Sequence, residues 1–169
     1  MAERRKSIPG VNCIECRLRQ QNEWHVLTEE QVRLLAQVRK CRQYQAGELI
    51  YSAGEPSLGI YCITSGSVAI RKIDAGGHAV LVQLGYPGDT LGYRGILLGE
   101  NRRSSAEALG PSKICFIDKQ VVRTLLDRNP ALGLQFLRRV ATDLDDAHAK
   151  LVRNATFSNR AKFVHLLLV

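Results

Sequence analysis

"GELIYSAGEPSLGIYCITSGSVAI", residues 47–70, is the stretch that decides the fold. Short runs of β-branched and aromatic residues are cut by Gly54, Gly59 and Gly66, and none is long enough for a helix. Such runs read as strands joined by turns. The rhythm continues through "SVAIRKI", "HAVLVQLG" and "KICFID", with turn signals at Gly76-Gly77, Pro87-Gly88 and Gly110-Pro111. Of the 14 glycines, all but Gly10 and Gly133 fall in residues 46–118. "DAGG" at 74–77 fits a hairpin turn between two strands. Turns recurring every 8–12 residues or so predict an antiparallel β sandwich or barrel, not βαβ units.

Outward from this core the period changes. Upstream, "LTEEQVRLLAQV" carries Thr28 as N-cap and Gln31 at the third helical position, a capping box, with Leu27 and Val32 able to staple the entry. Residues 1–26 show no period and read as an arm or loop. Downstream, "DKQVVRTLLDRNP" is a short amphipathic helix stopped before Pro130. "NPALGLQFLRRVATDLDDAHAKLVRNA" then places Leu134, Leu137, Ala141, Leu144, His148, Leu151 and Ala155 at alternating steps of three and four. A heptad seam with flanking charges predicts a parallel coiled-coil homodimer; packing on the chain's own β region is the alternative. Past "RNATFSN", Ser158 is a candidate N-cap for a further helix that runs to Val169. The chain is expected to be a piece of a longer protein.

Composition narrows the class. The chain is 45% apolar and 24% charged, the balance of a soluble globular protein, and it has no signal-peptide pattern or apolar run of membrane-spanning length. The cytoplasm is the expected location. The net charge of +8 is spread along the chain and forms no basic stripe. The four histidines are scattered, and no H-E-x-x-H, G-x-S-x-G or P-loop occurs. A cupin-like enzyme would need clustered metal ligands on its strands, and the only histidine of residues 46–118 is His78. An enzyme is not expected.

The stretch at 47–70, with Gly47, Gly54-Glu55, Ile60–Ile63 and Gly66, resembles the opening of the cyclic-nucleotide-binding β roll. With a short helix, "NP" and a long helix following, the chain resembles the Crp–Fnr family of bacterial transcription regulators from about residue 27 onward. The resemblance implies a mainly β fold with α: an antiparallel, jelly-roll-like β roll with short flanking helices and a long C-terminal dimerisation helix. It divides the chain into an arm with a cysteine pair (1–26), a β-roll sensor (27–128), a dimerisation helix and hinge (129–157) and the start of a truncated DNA-binding domain (158–169). Dimers in the family read DNA through a C-terminal helix-turn-helix, so DNA contact is expected from a domain absent here.

The family's nucleotide cassette reads Gly-Glu, a loop, then Arg-Ser or Arg-Thr and Ala. On that pattern Gly92 allows close approach, and Arg103 with Ser104 would hold a phosphate. Tyr93 stands where the ribose-binding Glu belongs, and Ser105 replaces the Ala. On the long helix, Ala147 and His148 occupy the adenine-contacting Thr-Ser positions. The effector is therefore expected to be something other than cyclic AMP, since each missing buried partner costs about 1–3 kcal/mol.

The five cysteines offer a second sensor. Cys13 and Cys16 form C-x-x-C, and Cys115 falls where the Fnr branch places an internal cluster ligand. The resemblance thus implies an iron–sulfur cluster or zinc on Cys13, Cys16 and Cys115, but Asn22 stands at the fourth ligand's place. Buried, inert thiols are the alternative reading. Two functions remain open: the small-molecule or redox sensor and dimer half of a DNA-binding regulator, or a stand-alone binding module.

Overall fold

The computed structural model describes residues 13–156. In chain order these form α1 (Arg17–Gln20), a 3-10 turn (Glu23–Val26), α2 (Glu29–Val38), β1 (Lys40–Tyr44), β2 (Leu49–Tyr51), β3 (Gly59–Ser65), β4 (Val68–Ile73), β5 (Ala79–Gly85) and β6 (Thr90–Leu91). Then come α3 (Tyr93–Leu98), β7 (Ser105–Ala108), β8 (Ser112–Asp118), α4 (Lys119–Arg128) and α5 (Pro130–Thr156). The strands make two four-stranded sheets, ordered β1-β8-β3-β6 and β2-β7-β4-β5, with antiparallel pairing throughout. This is the antiparallel roll that the glycine-punctuated pattern implied.

Side-chain alternation explains why β3 and β8 read as nearly continuous apolar runs. Ile63 and Ile114 face into the roll with Tyr44, Ile50, Tyr51, Val68 and Leu91. Ile60 and Ile117 have the opposite parity and face a second cluster with Trp24, Leu35, Leu125, Leu132 and Phe136. One sheet is thus covered on both faces, by the other sheet and by the helices.

Local signals fix the helix starts. Thr28 and Gln31 form the expected reciprocal capping box. Asp118 caps α4 by accepting from the Gln120 N–H at 2.8 Å. Asn129 seats α5: its Oδ1 accepts from the Leu132 N–H, and its Nδ2 donates to Val26 O and Gln31 Oε1. The Phe136 ring then lies edge-on to Trp24, with centroids 5.6 Å apart.

Two features differ from the sequence reading. Residues 13–26, read as part of an arm or loop, form two short helical turns, whose Trp24 is 2% exposed and whose Cys13 joins the α5 cluster. Pieces of four residues are too short to show a period. The cassette between Gly92 and Arg103, a loop in the family pattern, contains α3, set between Gly92 and Gly99, both in the left-handed region. The expected DNA-binding start at 158–169 and the last hinge residue lie outside the described residues.

Candidate functional site

The cassette segment builds a pocket of about 210 Å³ beneath α3, bordered by Tyr51, Lys72, Gln83, Arg94, Glu100 and Arg102. Gly92, Tyr93, Arg103 and Ser104 also line it. The chain leaves β6, turns at Gly92 with φ +79°, runs through α3 and returns along residues 100–104 to β7. Gly92 is required twice over. Its φ disfavours a side chain, and a Cβ would lie 2.2 Å from the Arg102 Nη1.

The inward-facing arginine is Arg102 rather than the expected Arg103. Arg103 stands at the rim, with a largely exposed side chain paired to Glu100 at 2.7 Å. Arg102 is 6% exposed. Its Nη2 donates to Gly59 O at 2.7 Å, and its guanidinium lies over the Tyr51 and Tyr61 rings at 4.1 and 5.2 Å from their centroids. Nη1 is buried without a hydrogen-bond partner. A buried charge is costly unless paired, and two ring faces and one carbonyl compensate it incompletely. An anion at the Nη1 side would complete the shell.

Tyr93 does not offer the carboxylate that a ribose needs. It is buried, and its hydroxyl donates to Asp143 of α5. Burial and the Asp143 carboxylate push its phenol up to about 12, so it stays a donor. Arg94 joins the same carboxylate at 3.0 Å. One turn back on α5, Arg139 bridges Asp143, Asp89 and Glu23 at 3.3, 2.9 and 3.5 Å. Burial works against its charge, but the surrounding carboxylates outweigh it and hold its pKa above the usual arginine range. Glu23 accepts from Thr90 Oγ1, which accepts from Trp24 Nε1. The cassette is thereby tied through α3 to the long helix. Sequence reasoning missed Asp143, Arg139 and Glu23, whose spacing carries no motif.

His148 does not border the pocket; it lies exposed on α5. Of the expected seam, Leu134, Leu137, Leu144 and Leu151 are 49–65% exposed, and Ala141, His148 and Ala155 are exposed as well. The buried residues of α5 are Leu132 and Phe136, near its start.

The cysteines are brought together, but not as a metal centre. Cys13, Cys16, Cys62 and Cys115 line a second cavity of about 50 Å³. Cys115 is disulfide-bonded to Cys41, its register partner on β1. Among the described residues no group of three His, Cys, Asp or Glu side chains could hold a metal. The donor set does not fit a cluster or a Cys₃His zinc site. The Cys115 sulfur is committed, Asn22 uses its side-chain amide on Gly88 O and the Trp24 N–H, and His25 turns its Nδ1 to Asn22 O. Spacing within the chain could not reveal a bond formed by strand pairing.

Fold and cassette together describe a jelly-roll-like domain with a glycine-set loop and a long trailing helix. Residues 41–129 match the family described as "Cyclic nucleotide-binding domain", and the chain belongs to that family. Its resemblance within the family is to Crp–Fnr regulators. It is 24% identical to the "Anaerobic regulatory protein" of Pasteurella multocida, covering 80% of this chain and 50% of that one. It is 25% identical to the "Fumarate and nitrate reduction regulatory protein" of Vibrio cholerae, covering 80% and 54%. Among solved structures, the sensor domain of the transcriptional regulator DNR from Pseudomonas aeruginosa shares the fold at a TM-score of 0.70 and 21% identity, covering 86% of this chain and 96% of that one. The chain thus spans about half the length of these curated relatives. They are named as regulators, not enzymes. No helix among the described residues is long and apolar enough to cross a membrane.

Proposed function

We propose that this chain is the effector-sensing and dimerisation region of a Crp–Fnr-type transcription regulator, and that its effector is a small anion other than cyclic AMP. The guanidinium of Arg102, a residue that lines the pocket and keeps one buried nitrogen unpartnered, carries this reading. The pocket's size supports a compact ligand, since 210 Å³ is below the roughly 300–1,000 Å³ of common ligand clefts. Tyr93, engaged with Asp143, supports the exclusion of a ribose clamp. The exposed stripe on α5 supports a homodimer of two such helices. DNA contact is assigned to the remainder of the longer regulator, acting in the cytoplasm.

The route from ligand to helix is short. An anion drawn to Arg102 Nη1 sits beside Gly92, at the start of α3, and shifts the Tyr93 and Arg94 contacts to Asp143. Affinity that differs between two α5 positions is what would shift their populations.

Calorimetric titration of the wild type and Arg102→Gln with cyclic AMP and with inorganic phosphate tests the reading. Phosphate is expected to bind the wild type and to lose at least about tenfold in affinity in the variant, the scale of one charge-assisted hydrogen bond. Cyclic AMP is expected to bind no more tightly than phosphate. Tight cyclic AMP binding, or phosphate binding indifferent to Arg102, contradicts it.

A further inference from the structure

The fold gathers all five of the chain's cysteines in one place. Cys41, Cys115 and Cys62 stand in register across β1, β8 and β3. They have the opposite parity to Tyr44, Ile114 and Ile63, which face the roll interior. All three sulfurs therefore leave the sheet's outer face, toward the N-terminal segment. Cys13 and Cys16 reach that face from the other side and line the same 50 Å³ cavity as Cys62 and Cys115. Two oxidation levels sit side by side: Cys41–Cys115 is a disulfide, whereas Cys13, Cys16 and Cys62 are thiols. The anion pocket uses none of them.

Exchange requires a thiolate with access to a disulfide sulfur. Cys16 is the partly exposed thiol of the arm, and Cys13 is buried beside it. Burial raises the Cys13 thiol, while the Arg39 charge opposes that rise. The Arg39 Nη1 also lies 3.9 Å from Cys115 Sγ, so one cation faces both the arm and the disulfide. Cys62 is different. Burial pushes it up to about 12, and its sulfur rests on Thr90 Oγ1, which marks it as a bystander.

We propose that the Cys13-x-x-Cys16 pair and the Cys41–Cys115 disulfide form an internal thiol–disulfide exchange couple. The Cys16 thiolate attacks Cys115 Sγ; a Cys16–Cys115 bond forms, the Cys41–Cys115 bond breaks, and Cys41 leaves as a thiolate that takes up a proton. The Cys13 thiolate then attacks Cys16 Sγ, forming Cys13–Cys16 and releasing Cys115 as the second thiolate, which is protonated in turn. Two electrons and two protons pass from the arm to the sheet, and no outside oxidant or reductant is consumed. The consequence reaches α5, because Cys13 packs in the same cluster as Trp24, Leu132 and Phe136. Closing Cys13 into a ring with Cys16 repositions a side chain that seats the base of the long helix.

The test is disulfide mapping of the full chain. Protein carrying one disulfide per chain, set by limiting diamide, is held without oxygen at mildly alkaline pH, quenched in acid, alkylated and mapped by mass spectrometry. Wild type is expected to yield both Cys41–Cys115 and Cys13–Cys16 peptides. Cys13→Ser, unable to complete the second step, should lose the Cys13–Cys16 peptide and gain a Cys16–Cys115 one. Cys62→Ser should match the wild type, and circular dichroism verifies that each variant is folded. Cys41–Cys115 as the sole linkage in both wild type and Cys13→Ser overturns the proposal. So does iron or zinc bound stoichiometrically through Cys13 and Cys16.

Discussion

Two sides of α5 meet different surroundings. On one side, Leu132 and Phe136 are buried against Trp24, and Arg139 and Asp143 are locked into Glu23, Asp89, Tyr93 and Arg94. On the other side Leu137, Leu144, Leu151 and Val152 are more than half exposed, although Lys150 still reaches Val82 O on β5. So regular an apolar stripe is seldom left in water without a use for it. One side of the helix completes its own roll; the other carries the apolar stripe that the proposed dimer would bury. On the proposed function, the polar ties of Arg139 and Asp143 are where a signal from the pocket would enter.

That contrast can be broken from either side. Phe136→Ala should have the largest effect, a loss of about 3–5 kcal/mol of stability from an emptied core position, read as a lower urea midpoint. A change near zero would mean that the helix base is not seated as described. The double substitution Leu137→Ser and Leu144→Ser acts on exposed residues, so protomer stability should stay within about 0.5 kcal/mol. Its effect should instead be a dimer dissociation constant raised about 100-fold, or roughly 2.7 kcal/mol, measured by concentration-dependent sedimentation. Unchanged association would remove the stripe from the interface.

Tyr93→Phe sharpens the link between cassette and helix. It should cost about 1 kcal/mol at neutral pH, the scale of one hydrogen bond, since Asp143 keeps Arg94 and Arg139. The phenol's pKa is raised on folding, so its contribution is complete below the unfolded value of about 10 and is lost as pH rises through about 12. Tyr51 and Tyr61 are raised as well, chiefly by burial, and act in the same direction. Urea unfolding at neutral pH and above pH 10 should show a shallower alkaline decline in the variant. An identical decline would assign it to the other two tyrosines.

Much of the fold could be read directly because its signals are local. Glycine-spaced runs marked the strands, Thr28 and Gln31 marked the start of α2, and three-four spacing marked the exposed seam of α5. The site was less legible because its decisive facts are long-range. Arg102 and Arg103 are adjacent, and nothing local distinguishes them; only the packing on Tyr51 and Tyr61 selects Arg102 as the buried one. The Cys41–Cys115 bond joins residues 74 positions apart through strand register, which no spacing rule within C-x-x-C could reveal. Tyr93 was recognisable as a departure from the cassette pattern, but its partner Asp143 lies 50 residues away and became visible only once α5 was in place.

The division of α5 rests most directly on its association state. Sedimentation equilibrium of the wild-type chain at tens of micromolar should return twice the mass of one chain, and the Leu137→Ser, Leu144→Ser protein a mass near that of one. A wild-type monomer at that concentration would contradict the division, leaving the exposed leucines of α5 without the second copy to which they are assigned.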